Sequence, residues 1–258
     1  MGQLGYTAQS DVVKFFDPNL EQAVRNTFGI PTWQPITRPD MTRLTGLNAE
    51  NSSIQILSGL EYAINLQDLN LNNNQISDIN LLAKLTNLQE LGLAHNQISD
   101  ISPLAKLTNL RCLELWLNQI SDISPLAKLT NLQVLYLGYN RISDISPLAK
   151  LTNLRWLYLD YNRISDIKPL AKLTNLQWLN LKSNRIKDIS PLAKLTNLQE
   201  LNLAHNQISD ISPLVSNNGL GQGDVVNLRE NPLDLSQGSD DMKNIQILQN
   251  RGVTVVYY

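Results

Sequence analysis

The 258 residues are enough for one or two ordinary globular domains or for one extended array. A net charge of −2 provides no basic footprint for nucleic acid, and no run of about 18 apolar residues is present to insert into a membrane. Cys112, the single cysteine, rules out an intrachain disulfide and a thiolate zinc site, and the two histidines, His95 and His205, leave little material for metal or acid–base chemistry.

The opening stretch, MGQLGYTAQSDVVKFF, has no basic region followed by an apolar core, so no signal peptide is expected. A cleaved signal would leave the same sequence, and localisation stays open. Residues 17–29, DPNLEQAVRNTFG, predict a helix. Asp17 suits the N-cap, Pro18 the first helical position, and Gly29 the stop. Leu20, Ala23, Val24 and Phe28 then form one apolar stripe, as a cap covering the end of an array requires. A second short helix is predicted from about Pro39 into Leu44.

From Leu44 onward a repeat takes over. Asn74, Asn96, Asn118, Asn140, Asn162, Asn184 and Asn206 stand 22 residues apart without a slip, and the leucines from Leu66 to Leu198 keep the same step. The unit reads LxxLxLxxNxIxDIxPLxKLTN. A degenerate unit precedes it, with Ala49 in a leucine slot and Ser52 in the asparagine slot, and a last unit ends at Asn231, 25 residues after Asn206. Alternation in xLxLx predicts a short strand that buries its leucines on one side and presents the x positions on the other. No unit can bury those leucines alone, so stacked neighbours must share one core.

Over residues 44–235 this motif resembles the leucine-rich repeat family, specifically the 22-residue bacterial type of the internalins. The resemblance implies an α/β fold: a right-handed horseshoe-shaped solenoid with parallel strands on its concave face and short 3₁₀ or irregular segments on its convex face. Residues 1–43 would form an N-terminal tail and helical cap, 44–219 the repeats, and 220–258 a final degenerate repeat with a helix-plus-strand cap. The fixed Asn of each unit is expected to turn inward and bond backbone groups. The Asp of SDISPL is expected to start the turn that follows it. A calcium ladder built from that Asp column is the weaker reading, because a Lys column from Lys84 to Lys194 offsets its charge.

Variation between units is confined. Units 88–109 and 110–131 differ at five of 22 positions, 111, 112, 114, 116 and 117, all in the strand segment. The convex half, ISDISPLAKLTN, is unchanged from 98 to 153. In the four central units the third position holds Cys112, Val134, Trp156 and Trp178, and the fifth holds Glu114, Tyr136, Tyr158 and Asn180. The seventh holds Trp116, Gly138, Asp160 and Lys182, and the eighth holds Leu117, Tyr139, Tyr161 and Ser183. Seven of the twelve Trp and Tyr residues fall in this block. Because leucine already fills the core positions, these rings are expected to point at solvent, where a contiguous apolar patch marks a binding surface. Arg141, Arg163 and Arg185 are expected to form a basic rim beside it.

The pattern therefore predicts a non-enzymatic, monomeric module without a cofactor that holds a protein or peptide on its concave face. His95 and His205 lie five units apart, about 24 Å at strand spacing. Cys112 has no histidine in its own or the following unit and reads as an exposed, oxidisable thiol. A glycosidase pair of Glu114 and Asp160 fails because an open sheet gives no means of raising one carboxyl. No phosphate-binding, dinucleotide-binding, zinc-protease or serine-hydrolase motif occurs. A uniform frame with variation on one face resembles engineered repeat binders; a natural bacterial surface protein and a carbohydrate binder are the alternatives.

Overall fold

The structure is a computed structural model and describes residues 11–258. The expectation about a signal peptide falls mostly on residues 1–10, which lie outside the described residues.

Each unit contributes one strand of three residues, and the strands follow one another in chain order in a single parallel sheet. They are β1 (Gly46–Asn48), β2 (Asp68–Asn70), β3 (Glu90–Gly92), β4 (Cys112–Glu114), β5 (Val134–Tyr136), β6 (Trp156–Tyr158), β7 (Trp178–Asn180), β8 (Glu200–Asn202), β9 (Val225–Asn227) and β10 (Thr254–Val256). The central leucine of each repeat strand pairs with the central leucine of the next, from Leu47↔Leu69 through Leu179↔Leu201. The 22-residue step of the sequence therefore appears as exact side-by-side alignment of columns on the sheet.

The core is a stack of identical layers. In the unit at 110–131, Leu110, Leu113, Leu115, Ile120, Ile123, Leu126 and Leu129 are all buried. Removing such a side chain from water contributes roughly 1.5–3 kcal/mol. After each strand the chain crosses to the opposite side and forms a single 3₁₀ turn, such as Ser102–Lys106 and Ser124–Lys128, with Pro in its first turn. Proline has no N–H to lose at that place. The preceding Asp closes the turn, its Oδ1 accepting from the N–H two residues on, as in Asp100 with Ser102 and Asp122 with Ser124, both at 2.8 Å. Those backbone and hydroxyl bonds from Ser124 hold the Asp122 carboxyl below its ordinary value. Among the described residues, no ion pair joins the Asp and Lys columns, and no cluster of metal-ligand type gathers there.

Two asparagine ladders hold the layers together. Asn118 Nδ2 donates to the Leu93 carbonyl of the preceding unit (2.9 Å) and to Leu115 of its own (3.1 Å), while its Oδ1 accepts from Ile98 N–H (2.9 Å). One amide thus satisfies backbone groups of two units that the short strands leave unpaired. The second ladder was not assigned from the sequence: Asn109, Asn131 and Asn153 donate to the carbonyls of Thr86, Thr108 and Thr130, each at 2.9 Å. Its only signal was the unchanging final Asn of the unit.

Both ends are closed. Helix α1 (Pro18–Phe28) covers β1, stops at left-handed Gly29, and is followed by α2 (Arg38–Thr42). Asp17 Oδ1 accepts from Asn19 and Leu20 N–H of α1, and its Oδ2 accepts from Gln55 (2.7 Å) and Ile56 (3.1 Å) of the first unit. At the other end α3 (Ser212–Ser216) replaces the 3₁₀ turn, and α4 (Asp240–Asn250) packs against α3 and β10. The three added residues fall between Leu220, buried and still 22 residues after Leu198, and Val226, which pairs with Leu201; just before them, a Cβ on Gly219 would collide with the Thr196 carbonyl.

Candidate functional site

The strands β4 to β7 carry the residues singled out from the sequence. Each reads half-buried, buried, half-buried, so the central leucine enters the core and its two neighbours stand on the open sheet face. Strand register sets Cys112, Val134, Trp156 and Trp178 side by side in one row, and Glu114, Tyr136, Tyr158 and Asn180 in the next. Trp116, Asp160 and Lys182 follow at the strand exits, and Leu117, Tyr139 and Tyr161 one residue further. Leu117, Tyr139 and Tyr161 have φ of 54°, 54° and 52°, in the left-handed region. The same slot holds Asn73, His95, Ser183 and His205 in other units. Asn and His tolerate this conformation; a leucine or tyrosine there is uncommon and costs about 1–2 kcal/mol.

The rings do not simply face solvent, as the sequence had suggested. Tyr136 stacks on Tyr158, with centroids 4.6 Å apart and planes at 19°. Tyr139 stacks on Tyr161 at 4.2 Å and 16°. Adjacent strands bring equivalent residues to stacking distance, so the rings bury one another. Trp156, Trp178, Tyr136 and Tyr158 are half-buried, while Trp116, Tyr139 and Tyr161 are 37%, 43% and 38% exposed. Lys182 Nζ lies 5.3 Å from the Tyr161 ring centroid, a cation–π contact that ends the outer stack. Arg141, Arg163 and Arg185 are exposed after the fixed asparagines.

The carboxylates diverge. Glu114 Oε2 accepts from Asn72 Nδ2 at 2.8 Å, across Gly92 and away from the rings. With Asp68 and Glu90 it lines an acidic trough of about 420 Å³ on β1–β4. Asp160 leans the same way over Gly138: a Cβ on that glycine would lie 2.7 Å from Asp160 Oδ1. Burial raises the Asp160 carboxyl, against its own backbone N–H and the pull of Lys182, so the open sheet does raise a carboxyl, contrary to the expectation from sequence. Trp116, Tyr136, Gly138, Tyr139, Tyr158, Asp160 and Asn180 enclose a cavity of about 370 Å³. By sequence Gly138 is only one member of the patch, and its sole signal is being the one glycine in a column of Trp, Asp and Lys.

Cys112 corrects an expectation. Its thiol is half-buried, not exposed, and burial together with Glu114 and Glu90 pushes it up to about 11. Such a thiol is protonated near neutral pH and is a poor nucleophile and a slow target for oxidation. His95 and His205 stand at the exits of β3 and β8, with four strands of the sheet between those two.

The leucine-rich repeat family profile matches residues 64–106, 86–128, 108–150 and 174–216 in two-copy form, and the single-repeat profile matches 153–173. The chain belongs to the leucine-rich repeat family. Within it, the chain is internalin-like: it is 43% identical to internalin C2 of Listeria monocytogenes, with a TM-score of 0.77, over 80% of this chain and 91% of that one. A plant peptide hormone receptor, RGFR1, solved in complex with RGF2, is 28% identical with a TM-score of 0.60, over 69% of this chain and 30% of the receptor. The leucine-rich repeat protein LIC12759 of Leptospira interrogans shares the fold at 21% identity and a TM-score of 0.63, over 84% of this chain and 73% of that one. No curated protein matched significantly.

Proposed function

We propose that the open sheet face of β4–β7 is the contact surface for a protein or peptide, and that the chain works as a binding module and not as an enzyme. The carrying observation is the aromatic block itself: seven Trp and Tyr residues aligned on adjoining strands over a core already complete without them. Stability alone gives no reason for it, because Leu117, Tyr139 and Tyr161 occupy backbone that Asn or His takes more easily. Tyr and Trp are the residues that concentrate binding energy at interfaces. The internalin-like fold and the peptide-bound plant receptor support a polypeptide ligand. Carbohydrate is the weaker ligand class, since the tyrosine faces that would stack on a sugar are closed on one another.

The nearly unchanged outer half of the units, broken in the central four only by Lys168 and Lys187, against a varied sheet face, is the pattern of a scaffold diversified for selection. We take the chain to be such an engineered or selected binder in preference to a natural surface protein. The test is a peptide-display selection on the immobilised protein, run beside a glycan array. Peptides that bind the wild type and weaken about 30-fold on Trp156→Ala or Tyr158→Ala support the reading, as hot-spot truncations cost 2 kcal/mol or more. Peptides that bind both variants unchanged, or a specific glycan with no peptide enriched, overturn it.

A further inference from the structure

The cavity between Trp116 and Asp160 has a more specific chemistry than the patch around it. Gly138 forms its floor, and the absence of a side chain there lets the Asp160 carboxylate lean over it, at the edge of a cavity of about 370 Å³ lined also by Trp116, Tyr136, Tyr139 and Tyr158. Among the described residues, Asp160 is the only carboxylate on its wall, and no lysine or arginine lines it. Among the described residues no other residue donates a hydrogen bond to the Asp160 carboxylate, and none forms an ion pair with it. Lys182 of the next unit pulls on it from a distance and is seated on the Tyr161 ring, without an ion pair to Asp160. The wall thus combines a partly desolvated carboxylate with no side-chain partner, electron-rich rings, and Asn180, whose Oδ1 accepts from Lys182 N–H at 3.1 Å and keeps a second lone pair.

The geometry points to a receptor for one arginine side chain of the bound polypeptide, with its guanidinium on Asp160 and its stem along Trp116 and Tyr139. This rests on the reading of the sheet face as a polypeptide-binding surface. Arginine fits better than lysine for two reasons. Its planar fork can pair with a carboxylate through two parallel hydrogen bonds while lying against an aromatic ring. Its five donors also match the several acceptors at the wall, whereas a compact ammonium remains strongly hydrated. Burial raises the Asp160 carboxyl in spite of Lys182, so a guanidinium placed on it would favour its charged form. Gly138 is then a positioning residue: a Cβ there would lie 2.7 Å from Asp160 Oδ1 and push away the carboxylate the guanidinium needs.

The probe is capped arginine (acetyl-arginine methylamide), titrated into the ¹⁵N-labelled protein beside the same compound with neutral citrulline. Saturable shifts centred on the Gly138 and Asp160 amides and the Trp116 indole are expected with arginine, at a Kd on the order of millimolar. Citrulline is expected to bind at least fivefold more weakly, and Asp160→Asn to remove the difference. Gly138→Leu is expected to abolish the shifts. Equal binding of citrulline, shifts confined to the acidic trough of Asp68 and Glu90, or an unchanged arginine preference in Asp160→Asn each overturn the inference. Peptides from the display selection separate the two claims. Binding lost on Trp156→Ala but kept, with unaltered preference, on Asp160→Asn sinks the arginine receptor and leaves the surface standing. Binding kept on both sinks the surface itself.

Discussion

Leu117 sits at φ 54°, in a slot filled by Asn73 two units earlier and by histidine in the unit between. Its half-buried side chain adds nothing to the leucine core, which the seven buried residues of that unit complete without it. The backbone cost is therefore carried for some other reason, and contact with a ligand is the reason argued above. Leu117→Asn is expected to stabilise the protein by about 0.5–1 kcal/mol, because Asn tolerates left-handed backbone. Urea midpoints with unchanged m-values would measure it. A destabilisation of similar size would show that Leu117 packs more than it strains. None of this was visible in the repeat motif, which marks the eighth position only as variable. Whether a residue sits before or after the end of a three-residue strand is decided by where the fixed Asn pulls the chain out of the sheet, not by the residue itself.

At the scale of one element, α1 depends on Asp17. Burial pushes the Asp17 carboxyl up, but N–H bonds from Gln55, Ile56, Asn19 and Leu20 together outweigh it and hold the group below its ordinary 3.8. The sign follows from linkage: a carboxyl depressed in the folded state stabilises fully above its unfolded value and loses that contribution as pH falls through the folded one. Asp17→Asn is thus expected to cost about 1–2 kcal/mol near pH 7, where the carboxylate is charged. The gap to the wild type should close only at a pH well below the ordinary 3.8. Thermal melts of both proteins at the two pH values check this, and a gap that does not depend on pH would mean that shape, not charge, holds the cap. The cap was legible in DPNLEQAVRNTFG because N-cap, Pro and terminal Gly act locally. The second role of Asp17, gripping the first unit at Gln55 and Ile56, joins residues 38 and 39 positions apart and has no local signal.

The whole molecule is a one-dimensional stack in which each unit bonds mainly to its neighbours through the two asparagine ladders. Removing residues 154–175, one full step of 22, should therefore leave a folded chain with a near-native far-UV spectrum. Tyr136 would then adjoin Asn180, both tyrosine stacks would vanish, and selected ligands should weaken at least 30-fold. Loss of the folded spectrum would show that the layers are not interchangeable. The fold was legible in the sequence because the same period specifies leucine core, asparagine ladder and turn at every step. The site was legible only as a set of columns. The stacks of Tyr136 on Tyr158 and Tyr139 on Tyr161, the lean of Asp160 over Gly138, and the withdrawal of Cys112 from solvent all depend on the sizes of side chains 22 residues away.

The central claim is that the rings of β5–β7 bind a polypeptide and the outer half of the units only supports them. Titration calorimetry of one display-selected peptide against three proteins tests it most directly: wild type, the Trp156/Tyr158/Trp178 triple alanine, and an outer-face Lys106/Lys128/Lys150 triple alanine, each first checked for a cooperative melt. The account predicts affinity reduced at least 100-fold in the first triple variant and within about twofold of wild type in the second. Equal affinity in the aromatic variant, or a loss confined to the lysine variant, would contradict it.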